Sequence, residues 1–246
     1  EFKPELYKAI PETLPEEAEP TANNPTTHNV LVVEDNDDLR VFLKNSLSKL
    51  YNVTEAENGE KALELVGKTN FDLVISDVMM PIMDGITLCH KLKTTISTSH
   101  IPIILLTAKS SLSHKLDGYK TGADDYITKP FDLELLHVRA KNLIESRLKL
   151  KDRFKQNIYT NPKEITVTSL DEKLLKKCLD IIEENMADTE FSVESLCTQI
   201  GVSRSQLYRK IMALTNMSIN NFIRTVRLKR AAQILIQDDS SIVEVM

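Results

Sequence analysis

Five side chains in this sequence have the types and spacing to do chemistry: Glu34, Asp35, Asp77, Thr107 and Lys129. Each comes at the end of a short apolar run. Glu34-Asp35 follows Val30-Leu31-Val32-Val33, Asp77 follows Leu73-Val74-Ile75-Ser76, and Thr107 follows Ile103-Ile104-Leu105-Leu106. Lys129, ahead of Pro130, ends a shorter stretch that contains Tyr126-Ile127. Runs this short and this rich in β-branched residues are suited to buried strands. In an open parallel sheet the reactive residues gather at the carboxyl ends of the strands. Neighbouring strands lie about 5 Å apart there, so these side chains can converge on one pocket. Three carboxylates held that close repel one another, which favours a divalent cation with oxygen ligands. Mg2+ suits the set, because it accepts one or two carboxylates together with waters and a phosphate. Asp77, the central carboxylate, can then attack a phosphoryl group and form an aspartyl-phosphate. The metal would offset charge on the phosphoryl oxygens. Lys129 supplies a second positive charge, and Thr107 a hydroxyl donor.

Each of these residues has a plainer reading when taken singly. An Asp at a strand end is usually a helix cap, and Asn36-Asp37-Asp38 can serve only to start a helix. A lone lysine is most often a solvated charge. The joint placement at one edge of one sheet favours the chemical reading.

The elements that must hold these residues follow from periodicity. Strands are expected at 30–33, 51–56, 73–75, 103–106 and 126–127. Helices are expected at 37–49, 60–66 (capped by Asn58), 86–92, 113–121 (ended by Gly122) and 133–147. Five strands alternating with five helices predict a parallel sheet covered on both faces.

Residues 29–146 resemble the receiver domain of two-component response regulators. The stretches that carry the resemblance are Val30-Leu31-Val32-Val33-Glu34-Asp35-Asn36, Ser76-Asp77-Val78-Met79-Met80-Pro81-Ile82-Met83-Asp84-Gly85, Ile103-Ile104-Leu105-Leu106-Thr107-Ala108 and Gly122-Ala123-Asp124-Asp125-Tyr126-Ile127-Thr128-Lys129-Pro130-Phe131. The resemblance implies a flavodoxin-like α/β fold with a five-stranded parallel sheet in the order 2-1-3-4-5. It implies an Mg2+ site formed by Glu34, Asp35, Asp77 and the carbonyl of Met79. Asp77 would take phosphate from a histidine kinase, and Lys129 would pair with the phosphoryl group. Thr107 and Tyr126 would form a switch pair, in which the ring turns inward when the hydroxyl engages phosphate. Lys129-Pro130 would be a cis peptide. The family often has Asp where this chain has Glu34, although Glu is also common.

The net charge of −5 argues against nucleic acid, but its distribution does not. Residues 1–28 are acidic and contain Pro4, Pro11, Pro15, Pro20 and Pro25, a composition that cannot bury a core and reads as an extended linker. Between Ser195 and Gln237 there is no acidic residue, but there are Arg204, Arg209, Lys210, Arg224, Arg227, Lys229 and Arg230. In the same region Leu196, Cys197 and Ile200 share a helix face, and Gly201 can end that helix in the left-handed conformation. Ser203 can cap a following helix with Leu207 and Ile211 inward. A helix, a tight turn and a second helix make a helix-turn-helix pattern. A plain helical hairpin is the competing reading, and the exposed cations tilt the balance toward DNA.

Residues 191–246 resemble an AraC-type DNA-binding domain, in which a long helix joins two helix-turn-helix units. The stretch Ser218-Ile219-Asn220-Asn221-Phe222-Ile223-Arg224-Thr225-Val226-Arg227-Leu228-Lys229-Arg230-Ala231-Ala232-Gln233-Ile234-Leu235 matches the joining helix, and Ser241-Ile242-Val243-Glu244-Val245-Met246 matches the opening of the second unit, which is expected to be truncated. By that resemblance Ser205, Tyr208 and Arg209 face bases, Arg204 meets a phosphate, and Arg224 and Arg227 are further phosphate contacts.

The expected organisation is a linker (1–28), a receiver domain (29–147), a connector (148–170) and an all-α DNA-binding domain (171–246). The expected function is phosphorylation-dependent transcription regulation in the cytoplasm, with Mg2+ as cofactor. The expected partners are a histidine kinase, double-stranded DNA and, on phosphorylation, a second copy. An alternative makes the chain the output portion of a membrane-bound hybrid histidine kinase. No run of about 18 apolar residues exists, so no membrane contact by this portion is expected. The chain is not expected to be an enzyme. Aspartate-nucleophile phosphatases carry Asp-x-Asp, whereas Met79 stands two residues after Asp77. No Gly-x-Gly-x-x-Gly follows the first strand, which excludes dinucleotide binding of that type. Cys89, Cys178 and Cys197 match no metal or disulfide spacing and read as small core residues.

Overall fold

A computed structural model describes residues 28–108, 122–156 and 168–237. The chain divides into two compact units. One comprises Glu1–Lys93 with Ile101–Ser146, the other Thr94–His100 with Arg147–Met246.

The first unit is built on β1 (Asn29–Val33), β2 (Asn52–Ala56), β3 (Leu73–Asp77), β4 (Ile103–Ala108) and β5 (Asp125–Lys129). All pairings are parallel, in the order β2-β1-β3-β4-β5. Among the described residues the helices of this unit are α1 (Asp37–Leu47), α2 (Gly59–Lys68), α3 (Gly85–Thr94) and the first part of α4 (Leu133–Gln156), whose residues from Arg147 on belong to the second unit. Strand side chains alternate between the two faces, and each face has its own apolar core. Val30, Val32, Ile75, Ile104 and Leu106 pack with Leu43 of α1 and Leu136 of α4. Leu31, Val33, Val74 and Leu105 pack with Ala62 of α2 and Leu88 of α3. Coverage on both faces explains why the central strands read as continuous apolar runs instead of alternating patterns.

Asn36 caps α1 by accepting from the Leu39 amide, with Asp37 and Asp38 in the first turn. Asn58 caps α2 in the same way through Lys61. The helix expected to end at Arg147 runs on to Gln156 as α4, so the stretch 148–156, assigned to the connector, is helical. That stretch is polar but contains no Gly or Pro and several strong helix formers, so nothing in it stops the helix. The helix expected over 113–121 lies outside the described residues, as do the linker 1–27 and the expected second helix-turn-helix opening at 241–246.

The second unit contains α5 (Ser169–Glu184), α6 (Val193–Ile200), α7 (Arg204–Thr215) and α8 (Ile219–Gln237). Its core gathers Leu175, Ile182, Leu196, Leu207, Ile211 and Phe222. Gly201 has φ +83, the left-handed value its lack of a Cβ permits, and it turns the chain from α6 toward α7. Ser203 accepts from the Gln206 amide while the Gln206 side chain accepts from the Ser203 amide. Ser203→Ala is expected to cost about 1 kcal/mol, seen as a lower urea midpoint with an unchanged slope. All three cysteines are buried and none forms a disulfide.

Candidate functional site

The acidic pocket lies at the carboxyl edge of the sheet. Glu34 directly follows β1, and Asp77 is the last residue of β3. Glu34 and Asp77 are buried while Asp35 is exposed, and one carboxylate oxygen from each of the three lies within 4.8 Å of the others. Lys129, the last residue of β5, places Nζ 2.7 Å from Glu34 Oε2 and 3.1 Å from Asp77 Oδ1. The Lys129-Pro130 peptide is cis. Asp77 Oδ1 accepts from the Val78 amide at 2.8 Å. The Asn36 amide donates to Glu34 Oε1 at 3.4 Å, and the Arg40 guanidinium to the Glu34 carbonyl at 2.8 Å. The pocket is thus one ammonium between two buried carboxylates, with a third carboxylate at the rim.

The electrostatics follow from that geometry. Burial, then the neighbouring Asp77, pushes the Glu34 carboxyl up from 4.5 to about 6, against the pull of Lys129. Burial also raises Asp77, with Lys129 and the Val78 amide opposing. Burial disfavours the Lys129 ammonium, but Asp77 and Glu34 outweigh it and hold the group above its ordinary value. Two buried carboxylates whose charged forms burial disfavours are suited to a cation with oxygen ligands, which would let both ionise.

The other pocket residues fall as follows. Thr107 lies next to last in β4, opposite Thr128 and one position beyond Leu106, the partner of Asp77. Its hydroxyl donates to the Ala108 carbonyl at 3.0 Å. Tyr126 is half-buried and packs against the core on the α2–α3 face. Met79 stands in the loop after β3 with its side chain 70% exposed. Gly85 is a member of the site that sequence reasoning did not single out. Its amide donates to the Val78 carbonyl, and a Cβ there would lie 2.0 Å from the Asp77 carbonyl oxygen. The Asp84-Gly85 pair before a helical run was the signal, since only glycine allows so close an approach.

In the second unit Arg204, Ser205 and Tyr208 are exposed on α7, and Arg209 is half-buried. Arg204 pairs with Glu194 at 2.7 Å on the surface. Arg224 is exposed on α8. Arg227 is engaged within the unit: it donates to the carbonyls of Asn185 and Asp188 at 2.9 and 2.6 Å and lies 5.6 Å from the Phe191 ring centre. Lys210, counted among the basic residues of this region, is not on the surface; it is 0% exposed and pairs with Asp171.

A family model described as the response regulator receiver domain matches residues 30–141. The chain is 50% identical over 206 residues to histidine kinase P4 of Formosa agariphila, a match covering 84% of this chain and 15% of that protein. It is 35% identical over 168 residues to the uncharacterized transcriptional regulatory protein YrkP of Bacillus subtilis, covering 61% of this chain and 71% of that protein. A response regulator structure from Chloroflexus aurantiacus is 37% identical with a TM-score of 0.47, covering 49% of this chain and 99% of that one. The chain therefore spans a small part of the kinase it matches and most of the regulator.

Proposed function

We propose that this chain, which belongs to the response regulator receiver family, is a phosphorylation-controlled transcription regulator whose phosphoacceptor is Asp77. The observation that carries the reading is the Lys129 ammonium set between Glu34 and Asp77, beside a third carboxylate, at the carboxyl edge of a parallel sheet. A carboxylate oxygen of Asp77 attacks the phosphorus of a phosphohistidine on a histidine kinase. The new O–P bond forms as the P–N bond breaks, and the imidazole leaves and takes up a proton. Lys129 then exchanges part of its pairing with carboxylate for pairing with the phosphoryl oxygens, and Thr107 donates to one of them. Tyr126 fills the space that Thr107 vacates. Glu34, Asp35, Asp77 and the Met79 carbonyl would hold Mg2+, an all-oxygen set that suits this ion. When bound, the ion offsets charge on the phosphoryl oxygens.

The output is DNA binding by the helical unit. Two helices joined by a left-handed glycine, with Arg204, Ser205 and Tyr208 exposed on the second, fit a helix-turn-helix whose α7 enters a major groove. Arg209 would add a base contact. Arg224 is the favoured phosphate contact, whereas Arg227 braces the turn after α5 through its two carbonyl partners. Phosphorylation would shift a two-state equilibrium toward paired receivers and so place two helical units on a repeated site. No acid stands two residues after Asp77, so the aspartyl-phosphate serves as a timer without multiple turnover. Among the described residues no helix is long and apolar enough to cross a membrane, and the proposed place of action is the cytoplasm.

A second reading sets the chain as the output portion of a hybrid histidine kinase. It is favoured by 50% identity to a histidine kinase across 84% of this chain. The phosphodonor would then lie on the same polypeptide. Sequencing the gene upstream decides it, since a kinase core in frame supports the hybrid and a stop codon removes it.

Intact mass after incubation with Mg2+ and acetyl phosphate tests the main proposal. One phosphoryl addition is expected in the wild type and none in Asp77→Ala. Equal addition in both proteins, or none in either, would refute Asp77 as the acceptor.

A further inference from the structure

Lys210 heads the largest fully buried side chains of the described residues, and its charge must be answered inside the protein. Its Nζ lies 2.5 Å from Asp171 Oδ1 on α5 and donates to Ser99 Oγ at 2.7 Å. The Ser99 hydroxyl in turn donates to the same Asp171 oxygen at 2.7 Å. Ser99 and Lys210 are both 0% exposed, and Asp171 is 1% exposed. The bookkeeping of protons closes: the hydroxyl uses its one hydrogen on the carboxylate and a lone pair on the ammonium. His100 Nδ1 lies 3.3 Å from the same ammonium.

Ser99 does not come from a helix of this unit. It comes from Thr94–His100, which interrupts the chain between Lys93 and Ile101 and is counted with the helical unit. Ile96 of this segment packs against the helical core. The segment closes on itself, with the Ser99 and Thr98 amides donating to the Thr95 carbonyl at 2.9 and 3.1 Å. Within the first unit, Lys93 Nζ donates to the Ile101 carbonyl at 2.8 Å and pairs with Asp124 Oδ2 at 2.5 Å.

We infer that Thr94–His100 is a strap belonging to the helical unit, seated there because the Ser99 hydroxyl completes the buried Asp171–Lys210 pair. The Ser99 knot and Ile96 both fix the strap to the helical core, and the strap is a two-state element that is seated or released. Release leaves the ion pair short of a partner, so seating the strap and fixing α5 against α7 are linked.

Hydrogen exchange of the full chain, followed by mass spectrometry, tests it. In Ser99→Ala, exchange of the strap amides is expected to rise about tenfold or more, with a smaller rise in α5 and α7 and none in β1 and β3. A strap that exchanges at the wild-type rate, or a rise shared equally by β1 and β3, would overturn the inference. A second variant separates release from unfolding. Asp171→Leu with Lys210→Met replaces the pair by apolar volume, which buried pairs tolerate. There α5 and α7 are expected to stay protected while the strap exchanges faster, because Ser99 has lost both partners. A strap still protected in that protein would show that the knot does not hold it.

Discussion

Gly85→Ala is expected to destabilise the first unit by about 3 kcal/mol or more and to abolish phosphoryl uptake in whatever remains folded. The cause is position, not propensity. Gly85 starts α3 where the helix abuts the end of β3, and a Cβ there would lie 2.0 Å from the Asp77 carbonyl oxygen, 2.9 Å from its carbon and 3.0 Å from Ser76 Oγ. The oxygen belongs to the backbone of a central strand, so no rotamer change relieves the contact. Either α3 moves away, losing the packing of Leu88 and Leu92, or β3 yields and carries Asp77 out of register with Glu34 and Lys129. Gly67→Ala supplies the contrast. Nothing lies within 4 Å of a Cβ there, in the last turn of α2. That change is expected to be neutral or to stabilise by about 0.5 kcal/mol. Urea unfolding of both variants checks the pair. Equal midpoints would mean that the close approach at Gly85 is not a structural requirement.

Much of the first unit was legible because its signals are local. Four apolar residues ending in an acid name a buried strand and a pocket residue together, and the strand order follows from the family resemblance. Asn36 and Asn58 could be read as caps from type and position alone. The end of α4 was not legible, because polarity was read as a connector although helix termination needs a breaker or a cap and residues 148–156 hold neither. Lys210 and Arg227 were not legible either. A cation on a helix gives no sign in its own sequence of whether an acid or a carbonyl from elsewhere will meet it. Asp171 lies 39 positions before Lys210 and Asn185 lies 42 before Arg227, and only the packing of α5, α7 and α8 brings each set together. The basic region of the second unit therefore overstated its surface charge by Lys210, and Arg227 spends its guanidinium on two carbonyls.

Lys129→Met should destabilise the protein by about 3 kcal/mol at pH 8 and by clearly less at pH 5, without divalent cations present. In the wild type the Glu34 carboxyl is raised from 4.5 to about 6. A raised acid contributes stability that is complete below its unfolded value and is lost as pH rises through the folded one, so this loss falls between about pH 4.5 and 6. Asp77 is raised too, and its contribution is lost in the same direction. Lys129 lowers both groups, so its removal moves each folded value further up and deepens the loss at alkaline pH. At pH 8 both buried carboxylates are left charged with no cation between them. At pH 5 Glu34, raised from 4.5 to about 6 even with Lys129 present, takes up a proton, and the missing ammonium costs less. The raised value of Lys129 itself adds stability that is complete below its ordinary 10.5, and so is constant across this range. Urea midpoints of both proteins at the two pH values measure the difference. A deficit that is the same at pH 5 and pH 8, or larger at pH 5, would mean that Lys129 holds the pocket by shape and not by charge. The phosphoryl group would then have to find its counter-charge elsewhere.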